Sequence, residues 1–375
     1  MASKIKTMEK DGLVYWEIKD HTEMKLKVIE AYSNLWVFIL SKYNTITIYD
    51  CFAGGGKYFK DSETFLDGSP LIFYKSLIDN SERLRDKTKL VLIEKNKKTF
   101  NNLKKSFENE GIIFTKENYG IKGKLIIQLI NDNFNIVIED IIKTDRNKAQ
   151  LFFIDPFGYS IDFDIFRSIM SLPKVEIIFN FMYSHLIRGF ASPHEKLTNQ
   201  IDRLFDSSDW EKSLLMSAYE KEDYIVNLFR SRCKEISKFV FPYRICDSKS
   251  SRTYYYLYHL SNHILAAIKM KESFASKNFG KVEYISINQD QITIMDNKEI
   301  QNSEIEEILF RKYINKSISF EDLVADNIDE TVYFEKHFRR VLKDLEKKGK
   351  ITIQRISSKK NGLGNDDLIT FKQRE

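Results

Sequence analysis

Residues 48–56 read IYDCFAGGG, a short apolar strand that ends in an acidic residue and continues into a glycine turn. A second segment of the same form, LFFIDPFG, stands at 151–158. Because glycine has no Cβ, a turn of this kind lets a ligand come close to the backbone. Two such strand ends in one chain predict a two-part site at one edge of a parallel sheet.

Strands and helices alternate around these two segments. The spacing of apolar residues predicts helices at 22–42, 97–110 and 162–171. The predicted strands, by contrast, are nearly continuous apolar runs, as expected of strands that are covered on both faces. The alternation predicts an α/β fold with a Rossmann-like parallel sheet. The predicted strands are 45–50, 89–96, 135–141, 150–158 and 175–182.

The rest of the chain predicts a helical insertion and a second domain. Residues from about 190 to 236 have a helical pattern, two strands follow, and a hairpin is expected at 282–296. After residue 298 come three helical patterns and two short strands, which together indicate a winged helix. We therefore predict an α/β domain over 1–297 and a winged-helix domain over 298–375.

The composition bounds the class of protein. The 375-residue chain has 42% hydrophobic and 13% aromatic residues, enough to bury a large core. Its net charge of +5 permits a nucleic-acid partner without requiring one. Three scattered cysteines exclude a disulfide framework, and no metal site is predicted. With no recognisable signal peptide or membrane-spanning run, we predict a cytoplasmic protein without membrane contact.

The glycine turn resembles the start of many S-adenosylmethionine-dependent methyltransferases, in which an acidic strand end is followed by x-F-A-G-x-G. It spells neither the GxGxxG fingerprint nor a P-loop. In the enzymes that it resembles, the turn holds the amino-acid end of the cofactor. A plain tight turn in another α/β protein is the alternative. The resemblance implies cofactor contacts from Asp50, Phe52, Ala53, Gly54, Gly55 and Gly56.

Two further acidic residues end predicted strands of the same sheet. Glu94 ends the second strand, where an acid accepts hydrogen bonds from ribose hydroxyls. Asp140 ends the third predicted strand, where methyltransferases of this kind contact the adenine. Because open sheets bind ligands at the carboxyl ends of strands, both join the predicted cofactor site. Solvated charges at strand ends are the alternative interpretation.

Residues 155–158, DPFG, stand where amino-methyltransferases carry a D/N-P-P-Y/F motif. An exocyclic amine is a poor nucleophile because its lone pair is delocalised, and acceptors for its N–H groups localise that lone pair. The resemblance makes Asp155 the acceptor, Phe157 the ring that stacks on the base, and Pro156 the residue that stiffens the turn. The spelling departs from the motif at Phe157 and Gly158, and resembles the form in tRNA guanine-N2 dimethyltransferases. An ordinary Asp-Pro turn is the alternative.

The chain as far as about residue 275 resembles the three-Cys-motif partner proteins, a methyltransferase-like family. The most specific features are DGSPLI and DPFG. The resemblance implies a methyltransferase-like fold and a protein partner of the three-Cys-motif family. The features that carry it are the loop at 49–58, DGSPLI at 67–72, IE at 93–94, the loop at 153–158, IFNF at 178–181, the segment at 204–210 and YYL at 255–257.

The third helical pattern of the winged helix is rich in basic residues. Together with two lysines of the predicted wing, these residues are suited to contact phosphates of DNA or RNA. Acidic residues among them leave a solvated charged face as the alternative, and many winged helices only bind proteins. The predicted nucleic-acid contacts are Lys336, Arg339, Arg340, Lys343, Lys359 and Lys360.

These patterns together predict an S-adenosylmethionine-dependent methyltransferase-like protein. The predicted acceptor is an exocyclic amine of a nucleic-acid base, and the expected cofactor is S-adenosylmethionine. The alternative is a non-catalytic protein that binds nucleic acid or a protein partner on the same scaffold. A protein or small-molecule acceptor is a third interpretation, since a fold does not fix its substrate.

Overall fold

The computed structural model describes most of the chain. Among the residues it describes, no helix is both long enough and apolar enough to cross a membrane. The described residues are 6–144, 146, 148–190, 195–246, 252–275, 282–284, 292–293, 302–356 and 362–372.

The strands and helices are numbered in chain order. The strands are β1 Thr7–Lys10, β2 Leu13–Glu17, β3 Ile46–Asp50, β4 Lys57–Phe59, β5 Phe65–Asp67, β6 Thr88–Ile93, β7 Tyr119–Lys122, β8 Leu125–Ile130, β9 Ala149–Ile154, β10 Val175–Phe181, β11 Phe239–Cys246, β12 Thr253–Ser261, β13 Val282–Tyr284, β14 Ile292–Thr293, β15 Ser317–Ser319, β16 Ile351–Gln354 and β17 Leu368–Phe371. The α-helices are α1 Asp20–Leu40, α2 Ser69–Asp79, α3 Lys97–Asn109, α4 Phe134–Thr144, α5 Phe163–Met170, α6 Tyr183–Phe190, α7 Glu195–Phe205, α8 Ala218–Ile236, α9 Ile264–Ala275, α10 Asn302–Tyr313, α11 Phe320–Asn327 and α12 Glu335–Lys347.

The central sheet has the strand order β14-β13-β11-β12-β10-β9-β3-β6-β8-β7. Its middle strands β8, β6, β3, β9 and β10 are parallel, and β12 lies antiparallel between β10 and β11. From β3 the chain adds strands first towards β8 and then, after returning, towards β10. The strand order therefore reverses between β3 and β9, where sheets of this doubly wound kind bind their ligands.

Helices cover both faces of this sheet and make three layers. α1, α2, α3 and α9 pack on one face, and α4, α5, α7 and α8 pack on the other. Every residue of β9 and β10 is buried. Burial on both faces explains why these strands are apolar throughout rather than alternating.

Four of the five predicted strands are present, but the one at 135–141 is wrong because these residues lie in α4. Phe134, Ile138 and Ile141 are buried at helical spacing, whereas Ile136 is 66% exposed. The strand beside β6 is β8 instead, in which alternate residues are buried. A short apolar run fits a strand or one face of a helix, so periodicity alone did not separate the two.

A second sheet, which the sequence did not predict, lies beside the glycine turn. Its strand order is β1-β2-β4-β5. The parallel pairing of β2 with β4 joins the N-terminal hairpin to the chain that follows the turn. Leu13, Tyr15 and Phe59 form the small apolar cluster of this sheet. The N-terminal hairpin thereby becomes part of the cover over the predicted cofactor site.

The C-terminal residues form the predicted winged helix. α10, α11 and α12 pack through buried apolar side chains, and a sheet in the order β15-β17-β16 completes the domain. The hairpin expected at 282–296 is present as the β13–β14 pair, which extends the central sheet beyond β11. The predicted boundary between residues 297 and 298 lies outside the described residues and stays a prediction.

Candidate functional site

Three carboxylates lie at the carboxyl ends of neighbouring parallel strands. Asp50 ends β3, Glu94 follows β6, and Asp155 follows β9. Strand β3 lies between the other two, with Asp50 paired in register with Leu92 and with Phe153. The sheet therefore brings the two predicted loops together at its switch point, as the sequence predicted.

The glycine turn has a conformation that needs glycine. Gly54 and Gly56 have φ angles of 63° and 91°, in the left-handed region that other residues adopt only with strain. The N–H of Gly54 donates to Glu94 Oε2 at 3.1 Å, and the N–H of Ala53 donates to the carbonyl of Ile93 at 2.9 Å. These bonds fix the turn against the end of β6.

Trp16 of β2 closes the outer side of the turn. A Cβ built on Gly55 would lie 1.9 Å from a carbon of the Trp16 ring. Asn102 of α3 ties the two parts together, because its amide donates to the carbonyls of Gly55 at 2.8 Å and of Val14 at 2.9 Å. The N-terminal hairpin is thus fastened directly onto the glycine turn.

Substitution of Gly55 by alanine tests this close contact. We expect Gly55→Ala to destabilise the fold by about 1–3 kcal/mol, because the new methyl group displaces the Trp16 ring. In a double-mutant cycle, Trp16→Ala removes the ring with which the new methyl group collides. The double variant should therefore lose less free energy of unfolding than the sum of the losses in the two single variants. Additive changes in the free energy of unfolding, measured by urea denaturation, would show that the two residues do not touch.

Asp50 is an unusual carboxylate because it is 0% exposed. Neither of its oxygens has a hydrogen-bond partner among the described residues. Burial, together with the nearby Asp155 carboxylate, raises its pKa to about 7. The Ser69 hydroxyl, the N–H of Phe52 and Lys25 lower that pKa, although neither the hydroxyl nor the N–H reaches hydrogen-bond geometry. Buried acceptors without partners are rare, and here they favour a ligand that donates hydrogen bonds or is cationic.

Glu94 joins the glycine turn to the end of β6. Besides Gly54, its carboxylate binds the N–H of Asn96 through Oε1 at 2.6 Å. Burial raises the pKa of Glu94, and these two backbone hydrogen bonds lower it. Each carboxylate oxygen keeps a second lone pair, so Glu94 is able to accept further hydrogen bonds from hydroxyl groups.

Asp155 is held by two side chains from other elements. Its Oδ2 forms an ion pair with Lys25 of α1, and its Oδ1 accepts from the Asn180 amide of β10 at 2.5 Å. The side chains of Lys25 and Asp155 are 9% and 23% exposed. The Oδ1 of Asn180, by contrast, is buried and has no partner in the described part of the chain. This end of the site thus presents acceptors beside one cation.

The sequence did not predict Lys25. It lies among the buried positions of α1, and a lysine between two apolar residues is the local signal for such a position. Its partner is 130 residues further along the chain, which no local pattern reveals. The same holds for Trp16, whose contact with the glycine turn depends on the unpredicted second sheet.

Among the remaining residues of the DPFG loop, Phe157 is the one that lies at the surface. Pro156 is buried, Phe157 is 84% exposed, and Gly158 has a φ angle of 100°. An exposed aromatic ring on a loop at the edge of the site is suited to stack on a planar ligand. At the opposite end, Phe52 packs edge to face on Phe134 at 5.7 Å between ring centroids.

Asp140 does not lie at a strand end, because the strand that placed it there is helix α4. Its side chain is 88% exposed and lies 3.8 Å from Lys143. The reason for assigning it to the cofactor site is therefore gone. The residue that follows β8 is Asn131, whose amide donates to the carbonyls of Glu94 at 2.8 Å and Lys95 at 3.1 Å.

Two cavities lie away from these carboxylates. One of about 530 Å³ lies between α1, α2 and the N-terminal sheet, and one of about 470 Å³ lies in the winged helix beside α10. Neither is lined by Asp50, Glu94 or Asp155. Asp50 itself is fully buried.

The predicted nucleic-acid residues divide into three groups. Lys336, Arg340 and Lys343 are exposed on α12. Arg339 is engaged instead, because it donates to the Leu363 carbonyl, pairs with Glu335 and lies over the Phe320 ring. The two predicted wing residues, Lys359 and Lys360, lie outside the described residues.

A comparison with known protein families supports the predicted C-terminal winged helix. Residues 285–355 match the family model of the GMT-like wHTH domain. No curated protein sequence matches the chain. The central sheet described above, together with this match, confirms the predicted mixed α/β class with a C-terminal winged helix.

Similar solved structures include an O-methyltransferase and a spermidine synthase. A Legionella pneumophila protein of the DUF519 family model has a TM-score of 0.41 at 11% identity and covers 71% of this chain and 96% of its own. The O-methyltransferase TomG of Streptomyces achromogenes, in complex with SAM, scores 0.35 at 11% identity over 64% and 80%. Spermidine synthase from Thermotoga maritima scores 0.35 at 9% identity over 78% and 74%. Similarity at this level carries no inference about activity.

Proposed function

We propose that the protein is an S-adenosylmethionine-dependent methyltransferase that acts on an exocyclic amine of a nucleic-acid base. The observation that carries the proposal is the convergence of Asp50, Glu94 and Asp155 at the switch point of the sheet. One strand end supports a glycine turn, and the neighbouring one presents hydrogen-bond acceptors. This arrangement supports a cofactor site with an acceptor site beside it.

The residues around the glycine turn fit the chemistry of the cofactor. Its amino-acid end carries an ammonium group, and the two unpartnered oxygens of Asp50 are acceptors for such a group. Glu94 keeps free lone pairs for the ribose hydroxyls. A Cβ built on Gly54 would meet no atom within 4 Å, so the backbone there has room for a ligand to come close. When bound, the cofactor supplies an electrophilic methyl group.

The residues around Asp155 fit the orientation of an amine. Asn180 and Lys25 hold the carboxylate in place, and its partial exposure leaves one side open for N–H donors. Acceptance of those N–H groups localises the nitrogen lone pair. Phe157 is exposed at the edge of the site and is suited to stack on the base.

A transfer assay tests this proposal. The full-length protein is incubated with methyl-tritiated S-adenosylmethionine and with unmodified DNA or RNA, and the nucleic acid is hydrolysed to nucleosides. We expect label in an N-methylated adenine, guanine or cytosine. Label in no nucleoside from either polymer, with folded protein that binds the cofactor, would contradict the proposal.

One observation favours a second function. Both oxygens of Asp155 already have protein partners, Lys25 and Asn180, which suits a residue that stabilises the fold. In that case the protein is a non-catalytic scaffold that binds nucleic acid or a protein of the three-Cys-motif family. Cofactor binding without transfer to any nucleic acid, together with capture of such a partner, would support this second function.

A further inference from the structure

The turn between α11 and α12 is buried against the α/β domain. We call residues 328–333 the docked turn. Ile328 is 0% exposed, Asp329 2%, Thr331 3% and Tyr333 3%. In a helix-turn-helix this segment leads into the recognition helix, which is α12 here. The docked turn is therefore a contact between the two domains rather than a free surface.

Lys271 of α9 anchors the backbone of the docked turn. The lysine is fully buried, and its Nζ donates to the carbonyls of Ile328 at 2.6 Å and of Tyr333 at 2.8 Å. It also donates to the carbonyl of Thr331. Three backbone carbonyls of the docked turn thus converge on one side-chain nitrogen of the α/β domain.

Asp329 anchors the same turn through its side chain and its carbonyl. Its carboxylate pairs with Lys234 of α8 at 2.8 Å and accepts the N–H of Val240 at 3.1 Å. Its carbonyl accepts from the buried Arg230. Three elements of the α/β domain, α8, α9 and β11, thus hold one short segment of the winged helix.

The docked turn leads into the end of α12 that reads bases in other helix-turn-helix proteins. There the N-terminal residues of the recognition helix contact base edges in the major groove. Here Tyr333 is buried, and His337 and Phe338 in the first turn of α12 are 7% and 0% exposed, so the exposed side chain of that turn is Lys336. This end of the helix therefore offers one flexible cation, which is suited to a phosphate, rather than a set of base-reading side chains.

A basic stripe remains exposed along α12. It consists of Lys336, Arg340, Lys343 and Lys347, whose spacing of four, three and four places them on one face of the helix. None of the four has an ion-pair partner in the part of the chain that the structure describes. The nearby acids are engaged elsewhere, Glu335 with Arg339 and Glu346 with Arg355.

We propose that the winged helix binds nucleic acid through the phosphate contacts of this basic stripe, without reading base sequence. Contacts to base edges determine which sequence a protein binds, whereas contacts to phosphates only position the protein on the nucleic acid. With the turn before α12 buried, the exposed stripe is available for contacts to phosphates. The site around Asp155 then selects the base to be modified. This part of the inference rests on the proposed function. The anchoring by Lys271 and Asp329 ties the winged helix, and with it the stripe, to the domain that carries that site.

The experiment measures binding of fluorescently labelled duplexes of unrelated sequence to the full-length protein by anisotropy, with salt titrations. We expect dissociation constants within about threefold of one another and a salt slope of about −3 to −4, as four phosphate contacts give. The variant Lys336→Glu/Lys343→Glu should bind at least tenfold more weakly. Its matched control is Lys122→Glu/Lys124→Glu, at exposed positions on the opposite edge of the central sheet, which should bind like the wild type.

Three outcomes would overturn the inference. They are discrimination of more than about 100-fold among sequences, equal loss in both charge-reversal variants, and binding that the stripe variant leaves unchanged. The last would leave the winged helix as a module for protein partners. Because the assay needs neither cofactor nor turnover, its failure is distinguishable from failure of the proposed methyl transfer.

Discussion

Replacement of Asp155 with alanine is expected to lower the rate of methyl transfer by about 100-fold or more while the affinity for S-adenosylmethionine stays within about threefold. The reason is positional. The carboxylate lies beyond the glycine turn, at the end of β9, and is held by Asn180 and Lys25 rather than by the turn itself. Loss of this acceptor removes the orientation of the amine and leaves the turn intact. Single-turnover rates and equilibrium binding measure the two quantities separately.

Two companion variants keep this prediction sharp. Asp155→Ala leaves the buried Lys25 ammonium without its partner, which alone destabilises a protein. Lys25→Met/Asp155→Ala removes both charges and should fold while remaining inactive. Asp155→Asn keeps an acceptor oxygen and should retain more activity than Asp155→Ala. If the double variant transfers methyl groups at the wild-type rate, Asp155 has a structural role only.

Replacement of Asp50 with asparagine is expected to raise stability at pH 8 relative to the wild type, by as much as about 4 kcal/mol. The buried Asp50 has a pKa of about 7, whereas an unfolded aspartate titrates near 3.9. Between about pH 4 and pH 7, Asp50 is therefore protonated in the folded protein and ionised in the unfolded protein. Its stability falls as the pH rises through this window and levels off above it. Asparagine does not ionise, so the free energy of unfolding of the variant does not fall in this way.

The measurement is the free energy of unfolding in urea for both proteins between pH 4.5 and pH 8. The difference between them should grow with pH and flatten above about pH 7. Asp140→Asn is the matched control, because Asp140 is 88% exposed, and its difference from the wild type should not change over this range. A constant difference for Asp50→Asn would show that this carboxylate is ionised throughout.

The parts of the fold that follow from short stretches of sequence were predictable. The strand that ends at Asp50, the glycine turn and the DPFG loop each carry their signal within about ten residues, and the structure has them at neighbouring strand ends. The winged helix was predictable for the same reason, because α12 keeps its apolar residues at regular helical spacing. The convergence of the strand ends followed from the parallel topology.

The parts that depend on distant contacts were not predictable. The helix α4 was mistaken for a strand because its apolar run is short, and this misplaced Asp140. The ion pair between Lys25 and Asp155 and the contact of Trp16 with Gly55 join residues far apart in sequence. The docked turn likewise depends on two lysines and one arginine, Lys234, Lys271 and Arg230, that resemble ordinary surface residues in the sequence.

The central claim is that the glycine turn and its flanking acids hold S-adenosylmethionine, and isothermal titration tests it most directly. We predict that wild-type protein binds S-adenosylmethionine and S-adenosylhomocysteine with one-to-one stoichiometry. Glu94→Ala should bind at least tenfold more weakly, a loss of about 1.4 kcal/mol, because the variant loses the contact to the turn and the proposed hydrogen bonds to the ribose. The exposed Glu139 supplies the matched control, and Glu139→Ala should bind like the wild type. Absence of binding of either compound to well-folded wild-type protein would contradict the account.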